Sequence, residues 1–211
     1  MSWKAVFFDR KAAGERLAGL LANYKGSGAT VVAIPAGGVP VGAQLARLLG
    51  LPMQVAPVSK VLLPWTTESG YGAVAFDGSL WLDEAAVENY RLEKEQVEKA
   101  ITDARAKVER RRARFCRVPL DVKGRTVILV DDGIAAGSTM RTAIAALRNL
   151  GAARVVVAVP TAHDRSLVAL RALADDIVCA NVRGGPRFAV ADAYEEWHDV
   201  SDDEAAAMLK L

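Results

Sequence analysis

The chain has 211 residues, 52% of them hydrophobic and 25% charged, which fits one domain with a sizeable core and excludes a disordered protein. A net charge of +2 singles out no nucleic-acid or membrane partner, no apolar run reaches membrane-spanning length, and no signal-peptide h-region opens the chain, so a cytoplasmic protein is expected. Cys116 and Cys179 lie far apart without metal-ligand spacing, which points to reduced thiols.

In chain order, Asp9 is placed to cap a helix over about 10–24, with Leu17, Leu20 and Leu21 on one face. After the turn Gly26-Ser27-Gly28, residues 30–34 (Thr-Val-Val-Ala-Ile) read as a buried parallel strand. It runs into Pro35-Ala36-Gly37-Gly38, and a second helix carries Leu45, Leu48 and Leu49 to Gly50. Two adjacent glycines let backbone amides point into a cavity, although a plain tight βα turn has the same composition. Residues 53–58 predict a third strand that delivers Lys60, either as a point charge for an anion or as a solvated surface lysine.

Residues 61–83 are rich in Gly, Thr and aromatics and include a hairpin turning at Asp77-Gly78. A long segment of this kind suits a lid, with Glu68 and Tyr71 as its polar groups. Trp65 suits base stacking or local packing. One long helix is expected over 83–115, ending in Arg110-Arg111-Arg112-Ala113-Arg114. Upstream acids balance that run, so a solvated face is preferred to a nucleic-acid surface. The helix stripe also suits contact with a second copy in a homodimer.

The central stretch is 126–139. Val127-Ile128-Leu129-Val130 predicts a fully buried strand ending on Asp131-Asp132, and from Thr139 the apolar residues Met140, Ile144, Leu147 and Leu150 return at helical spacing as far as Gly151. Between them lie Ala135-Ala136-Gly137-Ser138-Thr139, small enough for backbone N–H groups to close on an anion at a helix N-terminus. The two acids cannot hold that anion and suit vicinal hydroxyls or a metal. Together they describe a sugar-phosphate site at the carboxyl end of a parallel sheet, against the alternative of an ordinary turn with solvated acids. Further strands are expected at 154–160 and 176–180 around a helix at 164–173, with His163 after a strand end and His198 on the surface. This alternation predicts an α/β fold: an open, mostly parallel sheet flanked by helices. After Gly184-Gly185-Pro186 comes an irregular tail, and Ser201 and Glu204 stand in capping-box register for a final helix to Leu211.

The run Val130-Asp-Asp-Gly-Ile-Ala-Ala-Gly-Ser-Thr139 resembles the phosphoribosyl pyrophosphate (PRPP) motif of type I phosphoribosyltransferases, and the tail Phe188-Ala-Val…Tyr194…Trp197…Ser201-Asp-Asp-Glu204 is similar to a poorly characterised branch of that family. The resemblance implies that Asp131 and Asp132 are catalytic residues on the ribose hydroxyls. It makes Ala135, Ala136, Gly137, Ser138 and Thr139 the 5-phosphate loop, and Pro35, Ala36, Gly37, Gly38 and Lys60 the pyrophosphate contacts, with a cis peptide in 35–39. It implies Mg²⁺ held mainly by PRPP and water, with Asp131 or Asp132 contacting it through water. It also implies one domain over 1–211, an insertion over about 61–118, and a hood over about 184–211 joined by part of the N-terminus. The implied reaction transfers ribose 5-phosphate to a nucleobase or amine. PRPP binding without turnover is the rival function, because relatives carry Arg at the position of Ala36, and Asp or Thr at that of Ala135. A dinucleotide-binding reading is discounted for want of G-x-G-x-x-G after the first strand.

Overall fold

The computed structural model describes residues 4–185 and 188–209. Its elements in order are α1 (Arg10–Leu20), β1 (Thr30–Ala33), α2 (Gly38–Leu49), β2 (Met53–Val55), β3 (Val58–Leu62), β4 (Gly70–Ala75), β5 (Leu80–Leu82), α3 (Glu84–Asn89), α4 (Lys94–Phe115), β6 (Thr126–Val130), α5 (Ser138–Asn149), β7 (Arg154–His163), α6 (Asp164–Leu170), β8 (Asp176–Arg183) and α7 (Asp202–Met208). Five strands form a parallel sheet in the order β2-β1-β6-β7-β8. This is the flanked parallel α/β architecture read from the sequence.

β6 is central, and its apolar run is continuous because both faces are covered. Side chains alternate across a strand, so Val127 and Leu129 face α5 through Met140, Ile144 and Leu147. Ile128 and Val130 face the opposite layer, where Leu17 and Leu21 at the end of α1 meet Leu45 and Leu49 of α2. Each of these large side chains contributes about 1.5–3 kcal/mol by leaving water.

Two predicted elements divide. The expected strand 53–58 becomes β2, in the parallel sheet, and β3, in a separate antiparallel sheet ordered β3-β4-β5. Ala56 still donates its N–H to Ala33 O (2.9 Å), but Pro57 has no N–H to continue the ladder, and the chain leaves there. The expected helix 83–115 breaks into α3 and α4. Asp83 caps α3 by accepting from Ala86 N, Arg91 turns left-handed (φ 50°), and Glu93 with Gln96 forms a fresh capping box for α4. Leu92, between the helices, packs into the cluster of Val61, Tyr71 and Val108. The hairpin turns at Gly78 (φ 89°) as expected.

The C-terminal segment lies on the N-terminus. Val6 and Phe7 donate to Ala193 O, while Glu195 and Glu196 donate to Phe7 O and Phe8 O. Ser201 and Glu204 form the capping box of α7, which ends at Met208, short of the expected Leu211; residues 210 and 211, like Pro186, lie outside the described residues. Among the described residues, no helix is long and apolar enough to cross a membrane.

Candidate active site

The carboxyl edge of the parallel sheet carries a cleft of about 730 Å³. One wall is the end of β6. Asp131 Oδ1 accepts the N–H of Asp132 (2.9 Å). Asp132 Oδ2 receives a two-pronged contact from Arg10, with Nε and Nη2 both at 2.9 Å. A helix that precedes a parallel strand runs back across the sheet, so its first residue arrives at the carboxyl edge; this brings Arg10, at the start of α1, to the acids. The Arg10 side chain is 7% exposed, lies 3.9 Å from the Trp197 ring centroid, and donates to His198 O. Tyr194 donates its hydroxyl to Asp132 O (2.6 Å).

The loop after the acids is tied to the end of β7. Ile134 donates to Thr161 O, His163 donates to Ile134 O, and Ser166 Oγ donates to Ala135 O. Gly137 takes a left-handed φ of 85° at the N-cap of α5, with no side chain bonded there. The first-turn amides of this twelve-residue helix therefore have no side-chain cap, and Ala135, Ala136, Gly137, Ser138 and Thr139 all line the cleft.

Across from them is the loop after β1. The Pro35–Ala36 peptide is cis. Gly37 and Gly38 both permit close approach of the loop to the end of β6. A Cβ on Gly37 would fall 2.0 Å from Asp132 Oδ2, and one on Gly38 would fall 2.8 Å from Val130 O. Gly38 N is also spent on Ile34 O, so Gly38 is packed behind the wall and does not line the cleft.

Lys60 reaches the cleft from β3, an antiparallel strand and not the end of a main-sheet strand, and donates to Glu68 O (3.2 Å). Glu68 lines the cleft, but Tyr71 does not. It is 3% exposed, on β4 against Val61, Ala104 and Val108, because alternation along that strand turns it inward. Trp65 is exposed and edge-on to Tyr90. His163 caps α6 and meets Phe188 edge-to-face outside the cleft, while His198 is exposed beside Glu204.

The sequence model of the phosphoribosyl transferase domain matches residues 7–192. The chain belongs to that family. Two Mycobacterium tuberculosis proteins, each named "Putative phosphoribosyl transferase", are 35% identical over 208 residues; the match covers 97% of this chain and 46% of theirs, so the chain spans about half the length of these relatives. The crystal structure of TT1426 from Thermus thermophilus is 35% identical, covers 97% of each chain and superposes with a TM-score of 0.76. A hypothetical protein from Neisseria gonorrhoeae with bound ppGpp shares the fold at 15% identity, with coverage of 100% and 97% and a TM-score of 0.52.

This phosphoribosyltransferase domain holds its acids in unequal states. Burial pushes the Asp131 carboxyl well above the ordinary carboxylate range, and the charge of Asp132 adds to the rise; Lys60 pulls weakly the other way. Asp132 is also raised by burial, but Arg10 opposes it. The Tyr194 phenol is pushed up by burial and by Asp132 beneath it.

Three basic residues of the cleft escaped sequence reasoning: Arg10, Lys107 and Arg111. The arginine run, expected as a solvated face, is partly a clamp. Arg111 on α4 is 12% exposed, pairs with Asp202 (2.9 Å), and donates through Nη1 to Pro35 O (2.9 Å). Arg114 pairs with Asp203. The available signal was the match of Arg111 and Arg114 with the acid cluster Asp202-Asp203-Glu204; it could not be used before the topology placed the two helices together.

Proposed function

We propose that this phosphoribosyltransferase binds PRPP with Mg²⁺ and transfers ribose 5-phosphate to a small nucleobase or amine. What supports this most is the division of labour in one cleft: a carboxylate pair at the strand end, open helix amides beside it, and cations on the opposite wall. In the proposed complex, Asp131 and Asp132 accept hydrogen bonds from the ribose 2- and 3-hydroxyls. The 135–139 loop holds the 5-phosphate, and the 35–37 loop with Lys60 faces the pyrophosphate. The bond from C1 to pyrophosphate breaks with its electron pair on oxygen, and an acceptor lone pair forms the new bond at C1. The acids on the ribose face favour the cationic sugar between these events. Glu68 and its loop exclude water from that sugar.

The acids fit a hard divalent cation. Asp131 is desolvated, repelled by Asp132 and without an arginine of its own, so a cation there would relieve it. Among the described residues no three His, Cys, Asp or Glu side chains converge as a cage, so PRPP oxygens and water would complete the shell. Bound there, Mg²⁺ supplies neutralisation of the leaving pyrophosphate. Position 135 is Ala and offers no base, so the acceptor's proton passes to the departing pyrophosphate, which disfavours purines.

Calorimetry with PRPP and Mg²⁺ tests the proposal. Saturable binding to the wild type, lost in Asp131→Asn, is expected; no binding, or an unaffected variant, overturns it. Binding without turnover is favoured by one observation: Arg10 already occupies the Asp132 carboxylate. Pyrophosphate release during a screen of nucleobases and amines separates the two.

A further inference from the structure

Beyond the PRPP cleft, α4 and β3 enclose a second groove of about 400 Å³. Its floor is apolar, from Leu62, Leu63, Pro64, Ala100 and Ala104, and its rim is cationic, from Lys60, Lys99, Lys107 and Arg110. Asp103 is the one carboxylate lining it, and Lys99 already holds that group at 2.7 Å. Lys60 and Lys107 line this groove and the PRPP cleft alike, so the two cavities adjoin at this pair.

The pair lacks anions. Arg111, one turn beyond Lys107, is committed to Asp202 and Pro35 O, whereas Lys60 bonds only the backbone oxygen of Glu68. No carboxylate of the described residues lies within ion-pair distance of Lys60 or Lys107. Burial, Arg111, Arg110 and Lys60 all depress the Lys107 pKa, against Asp202 alone, so a bound anion would be favoured there. A slot with an apolar floor and a paired cation at its inner end fits a ring attached to a diphosphate. At the far end Gln96, whose carbonyl caps Glu93 N, keeps its amide N–H groups for a polar ring edge.

We infer that the groove between α4 and β3 binds a nucleotide-class ligand, with its ring on the apolar floor and its diphosphate on Lys60 and Lys107. Such a ligand competes with PRPP for the two lysines. The competition, though not the groove itself, rests on the proposed PRPP function.

Calorimetry on the full chain, with ADP as probe and inorganic pyrophosphate as its ringless control, tests this. ADP is expected to bind more tightly than pyrophosphate. Lys107→Gln should weaken both by about ten- to a hundredfold, the worth of one charge-assisted hydrogen bond. Ala100→Phe touches the groove floor alone; it should weaken ADP and leave pyrophosphate and ribose 5-phosphate unchanged, whereas Arg110→Gln, a rim cation next to Lys107, should weaken ADP and pyrophosphate together and leave ribose 5-phosphate unchanged. ADP should also raise the apparent Kd for PRPP. The inference is overturned if ADP binds no better than pyrophosphate, or if its affinity falls in Asp131→Asn but not in Ala100→Phe, which puts it in the main cleft. A wild type that binds neither PRPP nor ribose 5-phosphate, yet keeps the ADP pattern, overturns the proposed function and leaves the groove standing.

Discussion

Asp131 and Asp132 are chemically alike and physically unlike. Arg10 grips one; the other has burial and a like charge against it and only distant help from Lys60. The folded state therefore binds the Asp131 proton more tightly than the unfolded chain does, and stability falls as pH rises from about 4 through the raised folded-state pKa. In metal-free buffer, the thermal midpoint of Asp131→Asn relative to wild type should climb between pH 4 and 7, at about 2–4 °C per kcal/mol. A gap that does not change with pH would show that the carboxylate is ionised without penalty. The same substitution should remove the proposed PRPP binding, so stability and function are expected to part company at this residue. Arg10 behaves oppositely. Replacing it with Met leaves Asp132 buried and unpaired, at a cost of about 3–5 kcal/mol in urea unfolding. Arg10→Met with Asp132→Asn should recover most of that loss, and additive effects would contradict the pairing.

β6 places those acids by being apolar on both faces. Ile128→Ala, at a position that does not line the cleft, should lose about 2–5 kcal/mol because its side chain is wholly buried between sheet and helices. Gly38→Ala, by contrast, puts a Cβ against backbone at Val130 O and Asp131 Cα, which cannot move aside as a flexible side chain can. It should lose about 1–3 kcal/mol and weaken PRPP binding as well, read by unfolding and calorimetry on one sample. These two positions show what was legible in the sequence. Ile128 follows from period and composition alone. Gly38 was legible as a special position, but its reason was not: two loops distant in sequence meet there, so the amide expected to face an anion is bonded to Ile34 O instead. Pro57 and the Glu93–Gln96 capping box were visible signals whose effect, ending β2 and starting α4, was outweighed on paper by the longer apolar and charged patterns around them. Lys107 had no signal at all, since one lysine among many on a charged helix becomes distinctive only when Lys60 arrives from β3.

At the scale of the whole molecule, the cleft is closed by parts that do not belong to the parallel sheet. α4 contributes Lys107 and Arg111, and Trp197, Asp199 and Val200 come from the segment before α7; Arg111 joins α4 and α7 to the Pro35 carbonyl and, more weakly, to Val58 O. One guanidinium thus ties the loop after β1, the second sheet and α7. The neighbouring Arg114–Asp203 pair is exposed, and exposed pairs contribute about 0–1 kcal/mol, so the two contacts should respond differently to mutation. Arg111→Gln should cost about 1–3 kcal/mol and raise amide hydrogen exchange together in α7 and around residues 35–38, while the central strands β6 and β7 stay protected. Arg114→Gln should leave both regions as in the wild type. Faster exchange in α7 alone would mean that Arg111 merely anchors that helix; faster exchange in both means that the positions of α7 and of the loop after β1 are linked through this one side chain.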